Sequence, residues 1–212
     1  HDAPLDDTPE RTVSLRRAGS GSLHAELIAL SPGMRTLAAA LDRLRDTELP
    51  VVVSGETGAG KELVARAIHA ESRRFAGPFL VIDCATIPGP LLEVELFGAR
   101  AGAFTDLQRD RDGILTRASG GTVLVDEVAG TSLDAQAKLL RVLSEKTIRP
   151  VGAESSVSID VRFIFSTSRD LERETREGRF RRDLLHRIQV FTVHVPPLRE
   201  RPEDLPGLIY LF

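Results

Sequence analysis

Val51-Val52-Val53-Ser54-Gly55-Glu56-Thr57-Gly58-Ala59-Gly60-Lys61-Glu62-Leu63-Val64-Ala65-Arg66-Ala67-Ile68-His69 is the stretch from which the fold is read. Val51–Val53 is an apolar, β-branched run and reads as a buried strand, and Glu62–His69 reads as the helix that follows it. The glycines at the junction let the backbone turn with its N–H groups pointing inward, where the helix N-terminus adds the positive end of its dipole. Lys61 then reaches the outer phosphates of a nucleotide. Gly55, Glu56, Thr57, Gly58, Ala59, Gly60, Lys61 and Glu62 are therefore the expected nucleotide-binding positions. They match G-x-x-x-x-G-K, with Glu62 where a Ser or Thr hydroxyl would usually touch Mg²⁺.

Working outward, the rest of the chain supports an α/β fold. A chain of 212 residues can bury a substantial single core. The net charge of −3 excludes a global basic field for nucleic acid. No apolar run approaches the roughly 20 residues that span a membrane, so no membrane partner is expected. One cysteine, Cys84, rules out an intramolecular disulfide and fits a reducing, cytoplasmic setting. Residues 1–22 are polar, end in Gly19-Ser20-Gly21-Ser22 and read as a linker or tail, and the first residue is not Met, as expected of a piece of a longer protein. Pro32–Arg45 carries Leu37, Leu41 and Leu44 at helical spacing. Strands are expected at Phe79–Ile82, Thr122–Val125, Ile159–Phe165 and Val190–Val195, with a short helix at Leu91–Phe97 and a solvated loop at 106–113. Thr131 or Ser132 caps a further helix whose apolar face is expected to include Leu133, Ala137, Leu140 and Val142 or Leu143. Strands alternating with helices give three layers around a mostly parallel, five-stranded sheet.

Two further motifs carry chemistry. The third strand ends in Asp126-Glu127, and carboxylates at the end of a buried strand are costly unless they meet a cation or a reaction. Asp126 is the expected Mg²⁺ holder and Glu127 the group that orients and deprotonates an attacking water; the plain alternative is an acidic pair at a helix N-terminus. Phe180-Arg181-Arg182-Asp183-Leu184-Leu185-His186-Arg187 reads either as a solvated helix face or as the source of a guanidinium for a neighbour's γ-phosphate. Cys84 reads as a core thiol, and the histidines show no metal-ligand spacing.

From about Leu27 onward the chain resembles the AAA+ central domain of bacterial sigma-54-dependent transcription activators, the enhancer-binding proteins. The resemblance rests on GETGAGKELVARAIH, ELFG followed by GAFT, GGTVLVDE, QAKLLRVL, FRRDLLHRI and PPLRER. It implies an ATPase spanning residues 23–212, working as a hexameric or heptameric ring with ATP and Mg²⁺ at subunit interfaces and remodelling sigma-54 RNA polymerase. It implies Arg181 and Arg187 as arginine fingers, Asp83 and Ser168 as nucleotide sensors, and residues 98–107 as the sigma-contacting loop with Phe104 and Thr105 at its tip. DNA is then met only through a domain outside this chain, and little of the family's C-terminal helical lid is expected before Phe212. The sequence departs from the family at Asp106-Leu107, Ala99-Arg100, Asp83 and Ser168, where the family has Gly-Ala, His-Glu, Asn and Asn. A sigma-54-independent regulator and a nucleotide-gated scaffold with little turnover therefore stay open as alternatives.

Overall fold

The computed structural model describes residues 31–104 and 107–211; the polar 1–22 segment, Thr105 and Asp106 lie outside the described residues. The strands are β1 (Val51–Ser54), β2 (Phe79–Asp83), β3 (Thr122–Asp126), β4 (Thr147–Ile148), β5 (Val157–Ser158), β6 (Arg162–Thr167) and β7 (Phe191–His194). The helices are α1 (Pro32–Asp42), α2 (Lys61–Ala70), α3 (Gly89–Phe97), α4 (Ile114–Arg117), α5 (Leu133–Glu145), α6 (Leu171–Arg176), α7 (Arg182–Ile188) and α8 (Leu205–Leu211). Five strands form one parallel sheet in the order β2-β3-β6-β1-β7.

The period-2 alternation of strand side chains divides the interior into two cores. Val123, Val125, Phe163 and Phe165 face the layer of α3, α4, α5 and α7, while Leu124 and Ile164 face α1 and α2. Every side chain of β6 is buried, as expected for an inner strand of a parallel sheet covered on both faces. Ser31 caps α1 by accepting from the Met34 N–H, Pro32 opens its first turn, and Met34, Leu37 and Leu41 point into the second core. Each of these three burials contributes about 1.5–3 kcal/mol.

The register brings the carboxyl ends of four strands level. Asp83 pairs with Asp126 across β2 and β3, and Ser54 pairs with Thr167 across β1 and β6. The loops that follow open on one edge of the sheet, the edge where parallel α/β sheets hold their ligands.

Three features differ from the sequence reading. Helix α5 buries Ala135, Leu139, Val142 and Leu143, whereas Leu133 is 45 % exposed and Ala137 and Leu140 are only half-buried. Two apolar stripes compete on this helix, and the one turned inward carries a polar residue, Gln136, that finds backbone partners there. Residues 107–113 are only in part a solvated loop. Arg111 bridges to Ala99, which also pairs with Val151, so the segment returns as the second leg of an arm. That return needs glycine: Gly98 has φ +82°, and a Cβ there would lie 2.5 Å from the Arg111 carbonyl oxygen. Helix α4 and the short β4–β5 pair are additions too brief for periodicity to announce.

One buried charge stands out. Arg162 has no accessible surface; its Nη2 donates to the Leu44 carbonyl at 2.9 Å, while Nε and Nη1 have no partner. Burial lowers its pKa from the ordinary value; the Glu48 charge opposes this and Arg74 adds to it, so the guanidinium is only partly compensated. A partly compensated guanidinium opposes folding. Arg162→Met, which keeps the apolar stem, is expected to raise the unfolding free energy by about 1 kcal/mol or more in urea titrations. A loss of stability would show that the charge is compensated in solution.

Candidate functional site

A cavity of about 720 Å³ opens at the carboxyl ends of the strands, lined by the glycine loop, Asp83, Cys84, Asp126, Glu127, Gly130, Ser168 and Arg169. The loop after β1 turns through Gly55 (φ +152°), Gly58 (φ +80°) and Gly60 (φ +90°) before entering α2. A Cβ on Gly58 would meet nothing within 4 Å, so that position faces open space. A Cβ on Gly55 would lie 2.6 Å from the Val195 carbonyl oxygen, so the loop can pass this backbone only as glycine. The first N–H groups of α2 have no intrahelical acceptors and point toward the cavity end of the helix.

Lys61 sits at the start of α2 with its side chain almost wholly buried. Its Nζ donates to the carbonyl oxygens of Gly55 at 3.1 Å and Glu56 at 3.2 Å and lies 2.9 Å from Glu127 Oε1. The other carboxylate oxygen of Glu127 accepts from the Ser168 N–H at 2.9 Å and its hydroxyl at 2.8 Å. Glu127 occupies the left-handed region (φ 49°, ψ 51°), costly for a residue with a side chain and held here by its surroundings. Its own N–H donates to Ser166 Oγ at 3.1 Å, and the same hydroxyl meets Asp126 Oδ1.

Opposing effects act on Glu127. Burial penalises its charge, but the Ser168 N–H, the Lys61 ammonium and the Ser168 hydroxyl together outweigh that penalty and hold the carboxyl below its ordinary range. Cys84 shows the converse: burial, then the charges of Asp83, Asp126 and Glu127, push its thiol up to about 12, so it lines the cavity as an inert thiol.

The expected residues separate into groups. Thr57, Gly58, Gly60, Lys61, Glu62, Asp83, Asp126, Glu127 and Ser168 all line the cavity, whereas Gly55, Glu56 and Ala59 stand behind it. The Glu62 carboxylate pairs with Arg66 one turn along α2, and the Glu56 carboxylate with Arg199 through contacts of 2.6 Å. Asp83 accepts from the Ala85 N–H at 2.8 Å and so closes its own turn, while the direct partner of Glu127 is Ser168. Arg181 pairs with Asp183, and Arg187 donates to the Leu143 carbonyl at 3.0 Å; neither lines the cavity. Phe104 is 46 % exposed near the end of the arm, and Thr105 lies outside the described residues.

Sequence reading passes over Ser166, Arg169 and Arg201. Ser166 follows the apolar run Phe163–Phe165 and, with Thr167, forms the polar end of β6, which is a usable signal. Arg201 is buried and donates to the Ala59 carbonyl at 2.7 Å, bracing the glycine loop from behind; its contact is tertiary and has no local sequence signal.

The fit to a nucleotide and its metal rests on these residues. The glycine turn, the α2 N-terminus and Lys61 form an anion-accepting concavity, and Asp126 offers one carboxylate beside it. Among the described residues no group of three or more metal-ligating side chains occurs. A single carboxylate beside an anion-accepting turn fits Mg²⁺, which takes one or two carboxylates together with substrate phosphates. Among the described residues no helix is long and apolar enough to cross a membrane.

A family model described as "Sigma-54 interaction domain" matches residues 27–194. The response regulator protein PilR of Pseudomonas aeruginosa is 46 % identical over 182 residues, covering 86 % of this chain and 41 % of that protein. The crystal structure of NtrX from Brucella abortus in complex with ATP superposes with a TM-score of 0.79 at 42 % identity, covering 88 % of this chain and 42 % of that one. The P-loop NTPase domain of a sigma-54 transport activator from Escherichia coli, 19 % identical with a TM-score of 0.53 over 81 % of this chain and 99 % of that one, shows the fold alone. The chain thus spans about two fifths of the length of PilR.

The electrostatics of Glu127 carry a prediction. A carboxyl with a depressed pKa contributes stability that is fully present above its ordinary value of 4.5 and is lost as pH falls through the folded value. Lys61→Met removes one counter-charge and leaves the burial. The Glu127 pKa is expected to rise, read from the carboxyl carbon shift in an NMR titration. An unchanged value would show that Ser168 alone holds the charge.

Proposed function

The chain belongs to the sigma-54 interaction domain family, whose fold is that of P-loop AAA+ NTPases, and on that premise we propose that it is the ATP-hydrolysing motor of a transcription regulator acting on sigma-54 RNA polymerase. The observation that carries this reading is the contact set Lys61–Glu127–Ser168 facing the glycine loop. A cation and a carboxylate held together at the mouth of an anion-accepting turn have a use beyond structure.

The geometry supports a division of labour. Lys61 and the α2 N-terminus receive the outer phosphates, which requires the Lys61 ammonium to exchange its contact with Glu127 for one with phosphate oxygen. Asp126 would hold Mg²⁺, which when bound would supply positive charge against the phosphates. Glu127, released from Lys61 but still bonded to Ser168, accepts a proton from water as the water oxygen bonds to the γ-phosphorus and the bond to the ADP oxygen breaks. Ser168 and Asp83, which follow and end the strands on either side of β3 and both line the cavity, are suited to register whether the γ-phosphate is present.

Arg181 and Arg187 lie outside their own subunit's cavity, which supports a role in a neighbour's site within a ring of six or seven subunits. Arg181, at the head of α7, is paired with the adjacent Asp183 through two contacts, whereas the exposed Arg187 donates to the Leu143 carbonyl. Residues 23–212 form this ATPase domain, and 1–22 serve as a linker. The setting is the bacterial cytoplasm, DNA is met through another domain, and exposed Phe104, with Thr105 beside it, contacts sigma-54.

Two experiments test the reading. Glu127→Gln keeps size and polarity but cannot take the proton; turnover of ATP is expected to fall about 10²-fold or more while ATP affinity changes little. Equal turnover in parent and variant would sink the catalytic assignment. Phe104→Ala is expected to abolish capture of sigma-54 in the presence of a transition-state analogue while leaving the ATPase rate unaltered. Capture that survives this substitution would place the contact elsewhere.

A further inference from the structure

Gln136 is a polar side chain with no accessible surface, on the inward stripe of α5 where apolar residues are the rule. Both its amide nitrogen and its amide oxygen are engaged, and all of their partners are backbone groups of two separate segments. Nε2 donates to the Thr131 carbonyl at 2.9 Å and to the Arg179 carbonyl at 3.0 Å. Oε1 accepts from the Arg181 N–H at 2.8 Å.

The two segments are those between which an ATPase ring needs a connection. Thr131 closes the short 3-10 turn Val128–Gly130 that begins at Glu127, through the contacts Gly130 N–H to Glu127 O (2.8 Å) and Thr131 N–H to Val128 O (3.1 Å). Val128 and Ala129 are buried, a Cβ on Gly130 would lie 3.0 Å from the Cys84 carbonyl oxygen, and the Gly130 N–H is bonded to Glu127 itself, so this turn is closely fastened to Glu127. On the other side, Arg179 and Arg181 bracket the entry to α7. Arg181 is the N-cap residue of that helix and makes no side-chain cap bond, leaving Gln136 as the side chain that holds its N–H.

We infer that Gln136 is a positioning residue that ties the aim of Arg181 to the turn carrying Glu127, so that one subunit's site sets the finger delivered to the next. This rests on the proposed role of Arg181 as an arginine finger. A buried amide suits such a coupling, because its three contacts are directional and it carries no charge to be compensated. A shift of the Thr131 carbonyl is passed to the Arg179–Arg181 backbone by one rigid group. The nearby Glu174–Arg179 ion pair, with Oε1 and Oε2 of Glu174 meeting the guanidinium at 2.8 and 2.7 Å, keeps the Arg179 segment from yielding instead.

The test uses the protein at full length, assembled and supplied with ATP and Mg²⁺. Gln136→Leu fills a similar volume and removes all three contacts. Its turnover number is expected to fall about tenfold or more, the scale that small misplacements of a catalytic group produce, with the dissociation constant for ATP within about threefold of the parent, because the phosphate loop is untouched. A mixture of Gln136→Leu subunits (intact site, misaimed finger) with Glu127→Gln subunits (dead site, intact finger) is then expected to turn over ATP several-fold faster than the mean of the two alone. A parallel mixture of Arg181→Ala with Glu127→Gln identifies which idea fails. If the Arg181 mixture recovers and the Gln136 mixture does not, Gln136 acts on its own site or only on stability, and the inference falls alone. If neither recovers, the finger assignment falls and takes the inference with it. Should Gln136→Leu not fold, Gln136→Met, which is uncharged, close to Gln in length and likewise loses the three contacts, replaces it in the same mixtures.

Discussion

The arrangement of this domain depends on the contact between Lys61 and Glu127. Neither side chain is freely solvated, and each would be costly to bury without an opposite charge. The chain therefore has to bring the start of α2 and the end of β3 to within an ion pair of one another. These are non-neighbouring elements, since β6 lies between β1 and β3 in the sheet. The contact is possible because parallel pairing across β6 sets the ends of β1 and β3 level, and because Glu127 enters the left-handed region and swings its carboxylate back over the sheet edge. Its backbone strain is offset by three fixed partners: Lys61, Ser168 and, through its N–H, Ser166.

That contact also explains why the glycine loop is braced from behind. A phosphate-accepting turn exposes N–H groups and gains little from apolar packing, so its shape must be imposed from outside. The segment after β7 supplies this. Val195 closes on Gly55, Arg199 holds Glu56, Arg201 holds the Ala59 carbonyl, and Asp204 receives the N–H and hydroxyl of Ser31 at the head of α1. Glu56 is thus a loop residue whose side chain is held by Arg199 and does not line the cavity. Its carboxyl is held below the ordinary range chiefly by Arg199.

How much of this can be read from residues alone follows from whether the information is local. The strand–glycine–lysine–helix unit and the Asp126-Glu127 pair are legible because strand, turn and carboxylates are contiguous, and contiguity carries their physical meaning. The sheet is legible as a class from the alternation of strands and helices, but its order β2-β3-β6-β1-β7 is set by crossover packing between distant segments. The inward face of α5 is misread for a related reason. Both stripes have helical spacing, and choosing between them requires knowing that Gln136 meets Thr131, Arg179 and Arg181. A polar residue on an apolar stripe counts against that stripe in a periodicity argument, yet here it marks the buried side. Ser168 is legible as a position and Asp83 as its counterpart, but only the folded chain shows which of them touches Glu127.

The route from the cavity to the exposed arm is correspondingly narrow. Asp83 closes its turn through the Ala85 N–H, and the Cys84 N–H donates to the Asp126 carbonyl at 2.9 Å, so the end of β2 is fastened to β3. From there the chain reaches Gly98 only through α3, which buries Leu92, Val94, Leu96 and Phe97 and shows almost no amphipathic bias. A helix gripped on so much of its circumference transmits displacement as a block, since packed interiors shift between discrete arrangements more readily than they deform. The arm that follows α3 has a stem pinned on both legs, by Ala99 to Arg111 and Val151 and by Arg100 to Asp110. A stem so fastened joins the exposed Phe104 to α3 by packed and hydrogen-bonded structure, with few freely rotating links between them.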